Sequence, residues 1–325
     1  MIQKEHSNTL YIIGNGFDLH HKLDTWYSSF GLFLKKHHNE IYEVFMEYYG
    51  FEDIDEEDEE SLKDPMWYQF EASLAEIDGD LLLDNHTEFA ADYGSDDYKD
   101  RDLYDIQIYI ENIVNKATLR MREAFEEFIN NVEYPALAKE DLVNINAESL
   151  FLSFNYTDTL ERYYNVARKN INYIHNKAGE NKALILGHGI NPKEFEKQVE
   201  QPPEDPEERE RWEEWMADQY DYSIERGKDE VMFYFQKSFK PTQDVISQNA
   251  EFFNNLHEVN TIYILGHSLS DVDIPYFIEM KKYLSDDVEW IVSYFKESEK
   301  EYKKAVIESF GVQESKIHLI TISEL

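Results

Sequence analysis

The sequence predicts an α/β protein: a Rossmann-like, mostly parallel sheet with helices on both faces, interrupted by two mainly helical insertions. Three observations carry this prediction. Short apolar runs of strand length occur at 10–13, 150–154, 171–174, 183–186, 261–265, 288–292 and 317–322. Most of them end in glycine or polar residues and lead into helical spacing, the alternation that lays strands parallel under covering helices. Long helix-patterned and acidic stretches fall between these runs, so the core is expected from 1–25, 146–190 and 259–325, with insertions at 26–145 and 191–258.

The first run, Leu10-Tyr11-Ile12-Ile13, leads into Gly14-Asn15-Gly16-Phe17-Asp18. A strand ending in Gly-x-Gly before a helix is how α/β proteins present backbone N–H groups to a phosphate, so a nucleotide site is expected here. The dinucleotide fingerprint is incomplete: Leu19 stands at its third glycine, and no acidic residue ends a second strand about 20 residues on. Hydride transfer is thereby disfavoured. Asp24 or Thr25 can cap the next helix, whose apolar residues Trp26, Phe30, Phe33 and Leu34 are expected in the core. The acidic run 52–60 repels itself and is expected as a solvated loop. Apolar spacing predicts amphipathic helices over 67–83 and 103–132, with a second acidic loop at 92–102.

Strand patterns return at Leu150-Phe151-Leu152-Ser153-Phe154, before Asn155-Tyr156-Thr157-Asp158, where Thr157 or Asp158 can cap a helix. The run ending at Ile174 is followed by His175, and Ala183-Leu184-Ile185-Leu186 by Gly187-His188-Gly189. In open parallel sheets, side chains that follow strands converge at the carboxyl edge, where ligands bind. Residues 202–215 form a charge-rich, proline-started helix candidate, and Thr261-Ile262-Tyr263-Ile264-Leu265 leads into Gly266-His267-Ser268-Leu269-Ser270-Asp271.

Composition bounds the function. The 325 residues are 42% hydrophobic and 15% aromatic, enough for a sizeable core. Lys plus Arg is 31 against 68 Asp plus Glu, and 31 − 68 = −37, a charge that repels a nucleic-acid backbone but leaves room for a small anionic nucleotide held locally. Cysteine is absent, which excludes disulfides and cysteine-rich zinc sites and fits a reducing cytoplasm. Met1-Ile2-Gln3-Lys4-Glu5-His6 lacks a secretory pattern and no stretch approaches 18 uncharged apolar residues, so a cytoplasmic protein without membrane association is expected.

Read together, the blocks around Gly14-Asn15-Gly16-Phe17-Asp18, Thr25-x-Tyr27, Phe154-Asn155-Tyr156-Thr157-Asp158, Gly187-His188-Gly189 and Gly266-His267-Ser268-Leu269-Ser270-Asp271-x-Asp273 resemble the bacteriophage abortive-infection family AbiH. More distantly they are similar to sirtuin-like NAD-hydrolysing domains. The resemblance implies a sirtuin-like fold and NAD as substrate, with Asn155 and His175 as the reactive pair. It also implies that Gly14, Asn15, Gly16, Phe17, Asp18, Gly266, His267, Ser268 and Asp271 contact the nucleotide. Sirtuin-like chains usually carry Gly after the histidine where this chain has Asn176, and the zinc-ribbon cysteines of deacylating sirtuins are absent. Hydrolysis of NAD to nicotinamide and ADP-ribose is therefore expected, without a metal, restrained until a phage-derived or host protein trigger acts. The acidic insertions are candidates for partner contact or self-association.

The chemistry agrees with the residue types. Nicotinamide is a cationic leaving group, so the site must orient the ribose and supply a base for water, tasks that suit an Asn carboxamide and a neutral imidazole. Asp18 is a candidate to stabilise the developing cation. Two other classes use the same residues. A serine hydrolase would take Ser268 as nucleophile with Asp271 or Asp273 and His318, although the elbow's final glycine is Ser270. A non-catalytic sensor would bind a nucleotide such as ADP-ribose and signal to a partner. A metal site from His188, His267 and Asp18 has no supporting spacing.

Overall fold

The computed structural model describes residues 8–196 and 201–325. The expectation for Met1-Ile2-Gln3-Lys4-Glu5-His6, and the part of the second insertion at 197–200, lie outside these residues. The described chain forms two compact units, one from the residues up to Phe33 with Arg122–Gly189 and Lys240–Leu325, the other from Leu34–Met121 with the described part of Ile190–Phe239. Residues 26–33, 122–145 and 240–258, grouped by sequence with the insertions, thus pack in the first unit.

In the first unit six parallel strands form one sheet: β1 Thr9–Ile13, β2 Leu150–Ser153, β3 Ile171–Tyr173, β4 Thr261–Leu265, β5 Glu289–Ser293 and β6 Ile317–Ile320, in the order β3-β2-β1-β4-β5-β6. Leu10 pairs with Leu150 on one side and Ile262 on the other. Alternation sends successive side chains to opposite faces. Leu10 and Ile12 join one buried cluster with Leu152, Ile264 and Trp290, while Tyr11 and Ile13 join another with Phe151, Ile171 and Leu265. Both faces are covered, which is why the strands read as continuous apolar runs. The chain leaves β1 toward β2 and β3, then crosses back to β4, so the strand order reverses between β1 and β4. This is the arrangement in which a crevice opens outside the carboxyl ends of the strands.

Several expected elements differ. Residues 183–186 add no strand; Leu184 and Leu186 are buried, and Ile185 N–H bonds to the His175 carbonyl, so the run lies as an extended cover. Burial alone had given it a strand pattern. Trp26 is 43% exposed rather than core, and the helix begins at Tyr27. Its partners Phe30 and Leu34 are fully buried.

In the second unit the helical segment expected over 67–83 breaks into Pro65–Tyr68, Phe70–Ser73 and Gly79–Asp84. The acidic loop is pinned: Ile54 is fully buried, and Asp53 accepts hydrogen bonds from Lys35 Nζ and Tyr42 Oη, both at 2.7 Å. An aromatic core of Tyr42, Phe45, Phe51, Trp67 and Phe70 explains why a charged run settles there. The charge-rich helix starts later than its first proline suggested, at Pro206, where Asp205 caps the N–H groups of Glu207 and Glu208.

Candidate functional site

Two glycine turns meet at the point of strand reversal. Gly14 ends β1 and Gly266 ends β4, and their backbones touch: a Cβ on Gly14 would lie 2.5 Å from His267 Cα, and one on Gly266 2.1 Å from Phe17 N. Gly266 has φ +67°, a left-handed conformation open to glycine at little cost. Gly14 N–H donates to Leu265 O, Gly16 N–H to Gly266 O and Phe17 N–H to Gly14 O. These groups, expected to face a phosphate, are engaged within the protein. The helix that follows, Asn15–His20, has six residues.

The remaining residues of the first turn are anchored too. Asn15 Nδ2 donates to Thr25 O at 2.9 Å and Asn15 Oδ1 accepts from Thr25 Oγ1 at 2.7 Å, which explains why Thr25 accompanies the glycine turn. Phe17 is fully buried. Asp18, 1% exposed, accepts hydrogen bonds from Thr157 Oγ1 and Thr159 Oγ1, each at 2.6 Å. Thr157, a candidate cap by sequence, thus ties β2's carboxyl end to the first turn. Burial pushes the Asp18 carboxyl up to about 6 against these two hydrogen bonds.

Asn155 and His175 follow β2 and β3 and are 6% and 2% exposed. Neither polar atom of the Asn155 carboxamide, nor Nε2 of His175, has a hydrogen-bond partner. His267, after β4 and 3% exposed, likewise leaves Nε2 unpartnered. Buried polar atoms without protein partners are rare. Phe154 stands between the two imidazoles, with ring centroids 5.2 Å from His175 and 4.4 Å from His267. Asn176 adopts φ +65°, and Asn tolerates this conformation better than most side chains do. The departure from a His-Gly pair therefore leaves the backbone after His175 in a turn that glycine would also fit.

Sequence reasoning considered Asp273 only as an acid for the Ser268 alternative and left Lys240 out altogether. Lys240 Nζ lies 3.0 Å from Asp273 Oδ1, with its side chain fully buried. His175 Nε2 is 3.6 Å from the same oxygen, and His267 Nε2 is 3.5 Å from Oδ2. Asp273 closes the block that begins at Gly266 and was legible there; Lys240 has no local signal. Burial, the Lys240 charge and the His267 ring hold the His175 pKa well below the usual value, while a backbone hydrogen bond to Phe154 acts the other way. Nε2 has no hydrogen-bond partner, so the backbone hydrogen bond with Phe154 engages Nδ1, and in the neutral ring an Nδ1–H donor leaves the lone pair on Nε2. His267 is the opposite tautomer: Leu269 N–H donates to its Nδ1 at 2.9 Å, so Nε2 carries the proton. Its pKa is lowered to about 3 by burial and by Lys303 and Lys240.

Ser268 and Asp271 are exposed, apart from this buried group. His318 lies on edge strand β6 and contacts Glu289 Oε2 at 2.8 Å, at the amino end of β5. The Ser268 triad is therefore not assembled. Among the described residues no group of three or more His, Asp or Glu is arranged to hold a metal ion, and no helix is long and apolar enough to cross a membrane.

The topology and the glycine turns define a Rossmann-like α/β protein with its polar groups gathered at the strand-reversal point. Residues 10–294 match the family described as Bacteriophage abortive infection AbiH, and the chain belongs to that family. No curated protein and no solved structure matches it.

Proposed function

We propose that the chain is an abortive-infection effector that hydrolyses NAD to nicotinamide and ADP-ribose at the carboxyl edge of the sheet. The observation that carries this reading is the pair of buried imidazoles, His175 and His267, whose Nε2 atoms have no hydrogen-bond partner and face one carboxylate at the carboxyl edge of the sheet. In the reaction the bond from ribose C1′ to the nicotinamide nitrogen breaks with its electron pair leaving on nicotinamide. Water oxygen bonds to C1′, and its proton passes to the lone pair of His175 Nε2. The Asn155 carboxamide holds the ribose hydroxyls, His267 Nε2–H donates to the substrate, and Asp18 supplies negative charge near the developing cation. Exposed Ser268 and Asp271 would meet the nucleotide at the mouth of the site.

Asn155 and His175 are closed to a dinucleotide in this state. Access requires the cover at 183–189 or the turns to move, so turnover belongs to an activated state. Closure also suits a sensor that binds nucleotide without consuming it. Incubating purified protein with NAD, alone and with extract of phage-infected cells, separates the readings. Nicotinamide released in step with ADP-ribose, and lost in folded Asn155→Ala and His175→Ala, supports hydrolysis; for His175→Ala the loss is expected to be about 10²–10⁴-fold. Retained, intact NAD selects the sensor. NAD neither bound nor cleaved overturns both.

A further inference from the structure

Asp273 offers one carboxylate to three buried cationic or basic groups. Oδ1 faces Lys240 Nζ at 3.0 Å and His175 Nε2 at 3.6 Å; Oδ2 faces His267 Nε2 at 3.5 Å. The Lys240 and His175 side chains are 0% and 2% exposed, so water does not screen the competition. We propose that Lys240 and His175 are alternative partners of Asp273, and that the Lys240–Asp273 ion pair is the positioning device that keeps the His175 ring neutral and able to accept a proton. With Lys240 in place the carboxylate is already neutralised, and a second cation at His175 would face the Lys240 charge. When His175 takes a proton, the same oxygen is the acceptor toward which its new Nε2–H points, so the imidazolium is held without a change of scaffold.

The other titratable groups around the ring fit this assignment. Tyr156 and Tyr276 present ring faces or edges, with centroids 6.1 and 5.6 Å from His175, and Tyr156 Oη donates to Ile185 O. His267 is held in its neutral form with Nδ1 engaged by Leu269 N–H. Asp273 is thus the anion that contacts His175, and Lys240 the cation that shares it. His267 Nε2 lies 3.5 Å from the second oxygen of the same carboxylate.

The test reads the ring directly, by nitrogen NMR of the histidines in the full chain. Lys240→Met releases Asp273 to His175, so the His175 titration midpoint is expected to rise by about one unit or more, a tenfold or greater change in proton affinity. Below the new midpoint the protonated ring replaces the lysine as partner of the buried carboxylate. Lys240→Met/Asp273→Asn is expected to cancel the rise, because the anion that stabilises the imidazolium has gone. Lys240→Arg keeps the wild-type midpoint. If Lys240→Met leaves the midpoint where it was, or the double variant keeps the rise, the proposal is overturned.

The catalytic use of the pair rests on His175 being the base of the hydrolysis proposed above, and a second readout addresses that link. The acidic limb of nicotinamide release is expected to move upward with the NMR midpoint in Lys240→Met, with activity recovered at higher pH. A chain that never releases nicotinamide removes the hydrolysis reading, while the NMR comparison still decides whether Lys240 and His175 compete for Asp273.

Discussion

Asp18 shows how far a single residue can be read. The sequence places it in the glycine turn; only folding brings Thr157 and Thr159, some 140 positions away, to its two oxygens. The carboxyl holds its proton to about pH 6 in the folded chain and to about 3.8 in the unfolded one. Between those values the folded state binds more protons, so this residue's contribution falls as pH rises through the window and stays unfavourable above it. The cost at neutral pH is about 1–3 kcal/mol. Relative to wild type, Asp18→Asn is therefore expected to gain stability across this window and then level off, as measured by urea denaturation at several pH values. A constant difference would show that Asp18 does not titrate there. The places of Asn155 and His175 after β2 and β3 were legible because each directly follows a strand-patterned run, whereas their pairing as reactive residues was implied by the resemblance alone. Lys240 was not legible, because a lone lysine before Pro241 looks like any surface charge until Asp273 is seen 3.0 Å away.

At the scale of elements, the glycine turns of β1 and β4 make opposite demands on the prediction. Their positions after apolar runs gave the right strands, yet the N–H groups that the pattern reserves for a phosphate bond across to the neighbouring turn. Pattern records the turn, not what will occupy it. Gly266→Ala combines φ +67° with a Cβ 2.1 Å from Phe17 N, and is expected to cost about 3 kcal/mol or more from strain plus overpacking. Gly50→Ala, at φ +71° with nothing within 4 Å, should cost only about 1–2 kcal/mol. Thermal melting of the two variants tests the contrast, and equal losses would mean that the turns do not support each other. The run 183–186 misled for a related reason: buried apolar residues form strands or covers with the same spacing, and the bond from Ile185 to the His175 carbonyl is invisible in sequence. The helix over 67–83 broke because residues such as Phe70 and Trp67 satisfy an aromatic core that helical periodicity does not describe.

For the whole molecule, the parallel sheet was the most legible feature. Six of the seven strand-length runs lie on strands of the sheet, with β3 and β6 at its two edges. The net charge of −37 belongs to this scale as well. Self-repulsion destabilises a compact state, and screening shortens its reach from about 30 Å at 0.01 M salt to about 8 Å at 0.15 M. The melting temperature is accordingly expected to rise with sodium chloride over that range, and a fall would show that local ion pairs outweigh the overall repulsion. In the function proposed here, the closed polar site is that of a protein at rest until infection. The most direct measurement is NAD in phage-infected cells carrying the wild-type chain or a folded His175→Ala variant. The account predicts that NAD falls and nicotinamide rises with the wild-type chain alone; infection aborted with NAD unchanged would contradict it.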